Sequence, residues 1–174
     1  IQWFPQFTSR ESIKFTRDNG ANLFRIAMYT DNGGYIQNPS SVKGTLVEAV
    51  KNALSLDMYV IIDWHILSDG NPNQYLSESE AFFDEMSRLF QNEPGVIYEI
   101  CNEPNGNVNW RDDIYPYAAA VIETIRENSP NSLIITGTGT WSQDVHEVAK
   151  KPMPYENVLY SLHFYAGTHG SALR

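Results

Sequence analysis

The stretch VIYEICNEPNG, residues 96–106, decides how this chain is read. It opens as a run of strand-forming apolar residues and ends abruptly in Asn102, Glu103 and Pro104. A segment built for burial carries one carboxylate inside it, Glu99, and a second at its end, Glu103. Strand side chains alternate faces with a period of two, so both carboxylates fall on the same face.

Four other stretches share this grammar of an apolar run closed by a polar or aromatic cluster: LFRIAMYT (23–30), MYVIIDWH (58–65), LIITGTGTW (133–141) and VLYSLHFY (158–165). Helix-length patterns lie between them. Residues 9–19 stop at Gly20, a C-terminal cap, and residues 41–56 place Val42, Leu46, Val50 and Leu54 on one stripe. Residues 78–92 are expected to bury Phe82, Met86, Leu89 and Phe90. A fourth helix after Trp110 has Pro116 in or near its first turn, turns Tyr117, Val121, Ile122 and Ile125 to a core, and ends before Pro130. A short fifth is expected near 142–150.

Strands and helices alternating at roughly 30 to 40 residues indicate repeated βαβ units and a parallel sheet. Two α/β architectures fit, a doubly wound open sheet and a (β/α)8 TIM barrel. The faces of the strands choose between them. Phe24, Ile26 and Met28 oppose Arg25, Ala27 and Tyr29; Val60, Ile62 and Trp64 oppose Ile61, Asp63 and His65; Tyr160, Leu162 and Phe164 oppose Ser161, His163 and Tyr165. One face is apolar each time and the other carries polar groups that gather at the strand's C-terminal end. An open sheet covered by helices on both sides favours apolar residues on both faces. A barrel has helices outside and a site at the C-terminal mouth. The expected fold is therefore a single domain, 1–174, covering about strands 2 to 6 of a (β/α)8 barrel.

The composition agrees with a globular chain: 174 residues, 42% hydrophobic and 13% aromatic. A net charge of −9 without any basic run argues against nucleic acid or an anionic membrane as partner, and reads as a solvated acidic surface. No apolar run approaches the roughly 18 residues of a membrane span, and no signal-peptide pattern is visible. The lone Cys101 excludes an internal disulfide framework and reads as a small buried hydrophobe. The opening IQWFPQF and the closing THGSALR both read as cut ends, so a fragment of a longer chain is expected.

On the barrel reading, Arg25, Tyr29, Asp63, His65, Glu99, Glu103, His163 and Tyr165 face inward. Glu99 lies deep and needs a partner, and Arg25 at similar depth is the natural one. Glu103 reaches the rim, where Asn102, His65, His163 and Tyr165 converge with it from neighbouring strands, an arrangement suited to general acid-base work. Trp3, Tyr29, Trp141 and Tyr165 fall near the mouth and can pack against the faces of sugar rings, whereas Trp64 and Trp110 read as core. Other motifs fail on inspection. DGNPNQ (69–74) has Gln74 where a calcium loop needs glycine, and GTGTWS (137–142) lacks the third glycine of a dinucleotide loop. A metal site from His65, Glu103 and His163 has no supporting HxH or HExxH spacing.

VIIDWHILSDG, VIYEICNEPNG, TWSQDVH and LHFYAGTHGSALR, in this order and spacing, resemble glycoside hydrolase family five, and most closely its bacterial endoglucanases, over essentially the whole chain. The resemblance implies a (β/α)8 barrel and retaining hydrolysis of β-1,4-glucans by two glutamates, with no cofactor and no metal. It implies Glu103 as acid/base, Asn102 as a ligand of the sugar 2-hydroxyl, and Arg25, His65, His163 and Tyr165 as the remaining site residues. Trp3, Tyr29, Trp141, Gln143 and His169 match positions lining the glucan cleft. It further implies a secreted enzyme that is monomeric when intact and whose partner is a β-glucan polysaccharide or oligosaccharide. The family's nucleophile, a glutamate ending the seventh strand, falls beyond this chain, so the 174 residues alone are expected to be inactive and to fold poorly. A carbohydrate-binding barrel without catalysis, a metal-dependent hydrolase, and a related mannanase, xylanase or lichenase are the rival readings.

Overall fold

Five strands, β1 (Leu23–Tyr29), β2 (Tyr59–His65), β3 (Val96–Glu99), β4 (Ile134–Thr136) and β5 (Val158–Tyr160), form one sheet in a computed structural model that describes residues 1, 3–171 and 173. Positions 172 and 174, at the end of the LHFYAGTHGSALR motif, lie outside the described residues. The strand order is β1-β2-β3-β4-β5 and every neighbouring pair is parallel. A doubly wound sheet reverses its order at a switch point, whereas a barrel adds each strand on the same side of the last. The monotonic order is therefore that of consecutive strands of a (β/α)8 barrel, as the strand faces indicate.

Parallel neighbours require crossovers, and helices supply them: α1 (Arg10–Asp18) precedes β1, α2 (Pro39–Leu54) joins β1 to β2, α3 (Leu76–Leu89) joins β2 to β3, and α4 (Tyr115–Asn128) joins β3 to β4. Local chemistry sets their ends. The Ser9 side chain accepts from Ser12 N–H to start α1, and Gly20 takes a φ of +101° just past its end, a conformation that costs a residue without Cβ nothing. Pro39 opens α2 two residues earlier than the hydrophobic stripe implies, because proline's fixed φ suits a first helical position. A π-helical turn, Trp110–Ile114, leads into α4.

The outward residues Ile26, Met28, Val60, Ile62, Trp64, Val96, Tyr98 and Ile134 are buried in one core with Leu46, Val50, Phe82, Phe83, Met86, Val121, Ile122 and Ile125 from the helices. Trp64 packs among Tyr35 and Phe82, both at a ring separation of 5.3 Å, and Trp110 donates its indole N–H to Lys151 O, so both are core residues.

Three expectations are corrected. Leu89 is exposed, because the buried face of α3 runs through Ser79, Phe82, Phe83 and Met86, and Leu89 falls off that stripe. The fifth helix does not start at 142: a tight turn, Gly139–Ser142, with positive φ at Thr140, Trp141 and Ser142 precedes a separate short helix, Val145–Lys150. The last strand stops at Tyr160, so Leu162 and Phe164 are not on a helix-covered face; both are exposed and line the mouth. The last bond to β4 is Ser161 N–H to Thr136 O at 3.0 Å; beyond it the chain leaves the ladder, and His163 N–H instead donates to Ser142 O at 2.8 Å.

Candidate active site

The parallel register sets the problem the site must solve. It pairs Asp63 with Glu99 across β2 and β3, and Tyr29 with His65 across β1 and β2. Two buried carboxylates side by side repel strongly unless a cation joins them. Arg25 is that cation. Its Nε and Nη2 donate to the two oxygens of Glu99 at 2.6 and 2.8 Å, and Nη2 also lies 2.8 Å from Asp63 Oδ2 and donates to Asn102 Oδ1 at 2.9 Å. Burial alone lowers the pKa of Arg25, but the Glu99 hydrogen bond and the charges of Asp63, Glu99 and Glu103 outweigh it and hold the guanidinium charged. Burial, and then the Asp63 charge, raise the pKa of Glu99 above the usual carboxylate range in spite of Arg25. One guanidinium thus serves two carboxylates, and the deep pair reads as structural.

A second tier stands on the first. Asp63 Oδ2 is 2.6 Å from His65 Nδ1, and His65 Nε2 is 3.3 Å from Asn102 Nδ2. With Nδ1–H donating to the carboxylate, Nε2 is left as the acceptor. Asn102 is buried, and its amide also donates to Ile66 O at 3.2 Å. The Tyr29 ring packs 4.4 Å from the His65 ring, and Trp3 packs 4.4 Å from Tyr29, making a wall of three rings. Burial, reinforced by the charges of Asp63 and Glu103, raises the pKa of the Tyr29 phenol, which stays a neutral donor.

At the top, Glu103 Oε1 meets His163 Nδ1 at 2.8 Å. Only 16% of the Glu103 side chain is exposed, so this rim carboxyl is still reachable yet largely desolvated. Glu103 and His163 line two cavities at once. One, of about 520 Å³, is also lined by Arg25, Tyr29, His65 and Asn102. The other, of about 470 Å³, is lined by Trp141, Gln143 and His169. Tyr165 lines both, with its ring stacked on His169 at 6.0 Å and 17°.

The candidate catalytic and cleft residues therefore come to one mouth, with Asp63 and Glu99 buried in the floor beneath it, except Trp3, which borders a separate groove with Phe4 and Phe7 and reaches the site through Tyr29. Two contributors escape sequence reasoning. Leu67 lines both cavities beside Glu103, and its two-residue offset from His65 is the signal that could have found it. Ser142 is buried under the mouth and bonds Asn102 O at 2.7 Å. The calcium-like DGNPNQ loop is structural: buried Asp69 accepts from Thr30 Oγ1 and from Leu67 N–H, and the Asn71 side chain accepts from Asn73 N–H. Among the described residues, no three His, Cys, Asp or Glu side chains converge as metal ligands do.

Glycine matters at one point here. A Cβ on Gly137 would fall 2.6 Å from Asn102 O and 2.7 Å from both Cys101 O and the Pro104 ring. Backbone cannot retreat as a flexible side chain can, so Gly137→Ala is expected to cost about 1–3 kcal/mol of stability. The denaturation midpoint of the full-length protein measures it, and an unchanged midpoint would show that β4 can move away from β3.

Residues 1–173 match the family model described as cellulase (glycosyl hydrolase family 5). Among curated relatives, an endoglucanase of Clostridium saccharobutylicum is 54% identical over all of this chain and 39% of its own length, and endoglucanase A of Evansella cellulosilytica is 57% identical over all of this chain and 36% of its own. Among solved structures, the catalytic domain of Thermobifida fusca endoglucanase Cel5A, in complex with cellotetraose, superposes with a TM-score of 0.95 at 36% identity, covering 99% of this chain and 59% of that one. The chain thus spans well under half the length of these curated relatives. Monotonic parallel strands, a carboxylate and a histidine meeting at their C-terminal mouth, and a family match running from end to end all agree: the chain belongs to the cellulases of glycosyl hydrolase family 5.

Proposed function

We propose that the full-length protein is a retaining endo-β-1,4-glucanase with Glu103 as its acid/base. The observation that carries this reading is the position of Glu103, held 2.8 Å from His163 and lining two cavities at once. A glucan lying across both would have a sugar on each side of the carboxyl and a glycosidic oxygen within its reach. Protonated Glu103 gives its proton to that oxygen as the bond to the anomeric carbon breaks. Ionised Glu103 then takes a proton from water, which displaces the enzyme from the sugar.

Retention needs a second carboxyl roughly 5 to 5.5 Å from the first. Asp63 and Glu99 are unsuited to attack, since both are buried and committed to Arg25. The nucleophile is assigned to the part of such longer relatives that these 174 residues do not cover. Asn102 offers the sugar its amide: the 3.3 Å approach to His65 is the longest in its set and the one a 2-hydroxyl would replace. Tyr29, Trp3 and Trp141 supply ring faces, and Gln143, Tyr165 and His169 supply polar edges. A polymer such as cellulose is too large to enter a cell, and an extracellular site of action for the full-length protein is part of the same proposal.

Reducing-end release by the full-length protein on β-1,4-glucan, mannan and xylan tests the substrate class, with glucan expected to be the preferred one. NMR of the first anomer formed tests retention. Loss of all activity on chelation would instead favour the metal-dependent rival, and tight glucan binding without turnover the binding-module one. Trp141 is about half exposed in the second cavity, and Trp141→Ala should weaken glucan binding about tenfold, or ~1.4 kcal/mol, while kcat changes less. An unchanged KM on long oligosaccharides would remove Trp141 from the cleft.

A further inference from the structure

Four successive backbone carbonyls around Glu103 are each held by a donor from the surrounding mouth. Cys101 O accepts from Gly137 N–H at 2.9 Å, Asn102 O from the Ser142 hydroxyl at 2.7 Å, Glu103 O from Asn105 Nδ2 at 2.9 Å, and Pro104 O from Trp141 N–H at 3.0 Å. Two of these donors belong to the turn Gly139–Ser142. In it Thr140, Trp141 and Ser142 have φ of 53°, 53° and 59°. A residue with a side chain takes up this left-handed backbone only at a steric cost. Consecutive ones persist where the surroundings over-determine them, and such strain gathers at functional sites.

Ser142 is the centre of that turn's grip. It is fully buried. A carbonyl only accepts, so the hydroxyl proton goes to Asn102 O, and the hydroxyl oxygen in turn accepts Thr138 N–H at 3.2 Å. Its own carbonyl accepts His163 N–H at 2.8 Å. One residue therefore ties the backbone beside Glu103 with its side chain and the backbone of His163 with its carbonyl.

We propose that Ser142 is the positioning residue of the acid/base pair, setting the spacing and mutual orientation of Glu103 and His163. The strained turn is the means, since it aims hydroxyl and carbonyl of a single residue at the segments that follow two different strands, β3 and β5. The same turn carries Trp141, so the aromatic face is registered to the carboxyl it serves. Without the hydroxyl, Asn102 O and Thr138 N–H both lose a partner in a buried place, and the peptide leading into Glu103 loses the bond that fixes its carbonyl.

The proposal rests on Glu103 being the acid/base, and the test separates the two. In the full-length protein, Ser142→Gly removes the hydroxyl while suiting the left-handed backbone, and Ser142→Ala is the second variant. kcat/KM is measured on an unactivated cello-oligosaccharide and on an aryl β-cellobioside whose phenolate leaves without protonation, with Glu103→Gln in parallel. Ser142→Gly is expected to lose on the order of 100-fold on the unactivated substrate, far less on the activated one, with KM little changed. Equal loss on both substrates, or no loss on either, while Glu103→Gln is selective, overturns the role of Ser142 alone. Failure of both Ser142 variants to fold while Glu103→Gln folds overturns it too, in favour of a purely structural residue. If Glu103→Gln shows no selective loss, the assignment of Glu103 falls, and this proposal with it.

Discussion

Glu103→Gln in the full-length protein is expected to lower kcat on unactivated glucan by roughly 10²- to 10⁴-fold, the range a positioned general acid supplies. The substitution is nearly isosteric. An amide oxygen can still face His163 Nδ1, so the 2.8 Å contact and the backbone clamp around it should survive and glucan binding with them. What is lost is the carboxyl's ability to give up a proton and take one back. The defect should therefore depend on the leaving group: an aryl glycoside with a good phenolate forms its covalent intermediate without help and then stalls, because no base activates water. Azide, already an anion, needs no base and should restore turnover with a glycosyl azide of retained configuration as product. A variant that hydrolyses cello-oligosaccharides at the wild-type rate, or that gains nothing from azide, would remove Glu103 from the chemistry. His163 should behave differently. It touches the carboxyl without donating to the substrate in this reading, so its loss should affect both classes of substrate less and more evenly.

The barrel was legible because period-two alternation is plain in β1 and β2 and marks the end of β3: Arg25, Asp63 and Glu99 stand out as polar residues in apolar runs, and each points inward as alternation requires, whereas β4 breaks the pattern with Ile135 inward and buried Thr136 outward. The Arg25–Glu99 pair was legible for the same reason, since a deep carboxylate demands a cation and one was available at matching depth. That Arg25 also binds Asp63 and Asn102 was not, because strand patterns give a face and a depth but no lateral register. The register came only with the pairing of Ala27 with Asp63 and Asp63 with Glu99. The turn at Thr140, Trp141 and Ser142 was illegible for a different cause. Left-handed backbone is ordinarily announced by glycine or asparagine, and here it is held by tertiary hydrogen bonds that Trp141 N–H and the Ser142 hydroxyl donate to the carbonyls of Pro104 and Asn102, which no local rule anticipates. Leu162 and Phe164 misled in the opposite way: their alternation continues the strand pattern after the strand itself has stopped, and they serve the mouth instead of the core.

Arg25→Met should be the most destabilising single change in the site, and its cost should grow with pH. The side chain's volume is kept, so packing changes little, but Glu99 and Asp63 are left adjacent and buried with no guanidinium between them. Removing one partner of a buried ion pair costs about 3–5 kcal/mol, and the third of the Arg25 side chain that remains in solvent puts the expected loss at the lower end, about 3 kcal/mol at neutral pH. The sign with pH follows from Glu99. Its pKa is raised in the folded protein by burial and by Asp63, and losing Arg25 removes what opposed them. A raised folded pKa means that stability is fully present below the unfolded value of about 4.3 and is lost as pH rises through the folded value. Denaturant melts of wild type and variant at pH 4.5 and pH 7.5 should therefore show a smaller deficit in acid. Adding Glu99→Gln to Arg25→Met removes one of the stranded charges and should recover part of the neutral-pH loss, a coupling that a double-mutant cycle reads directly. A deficit that is the same at both pH values and indifferent to Glu99→Gln would mean that Arg25 contributes through packing, and that the two carboxylates find another way to share the floor of the barrel.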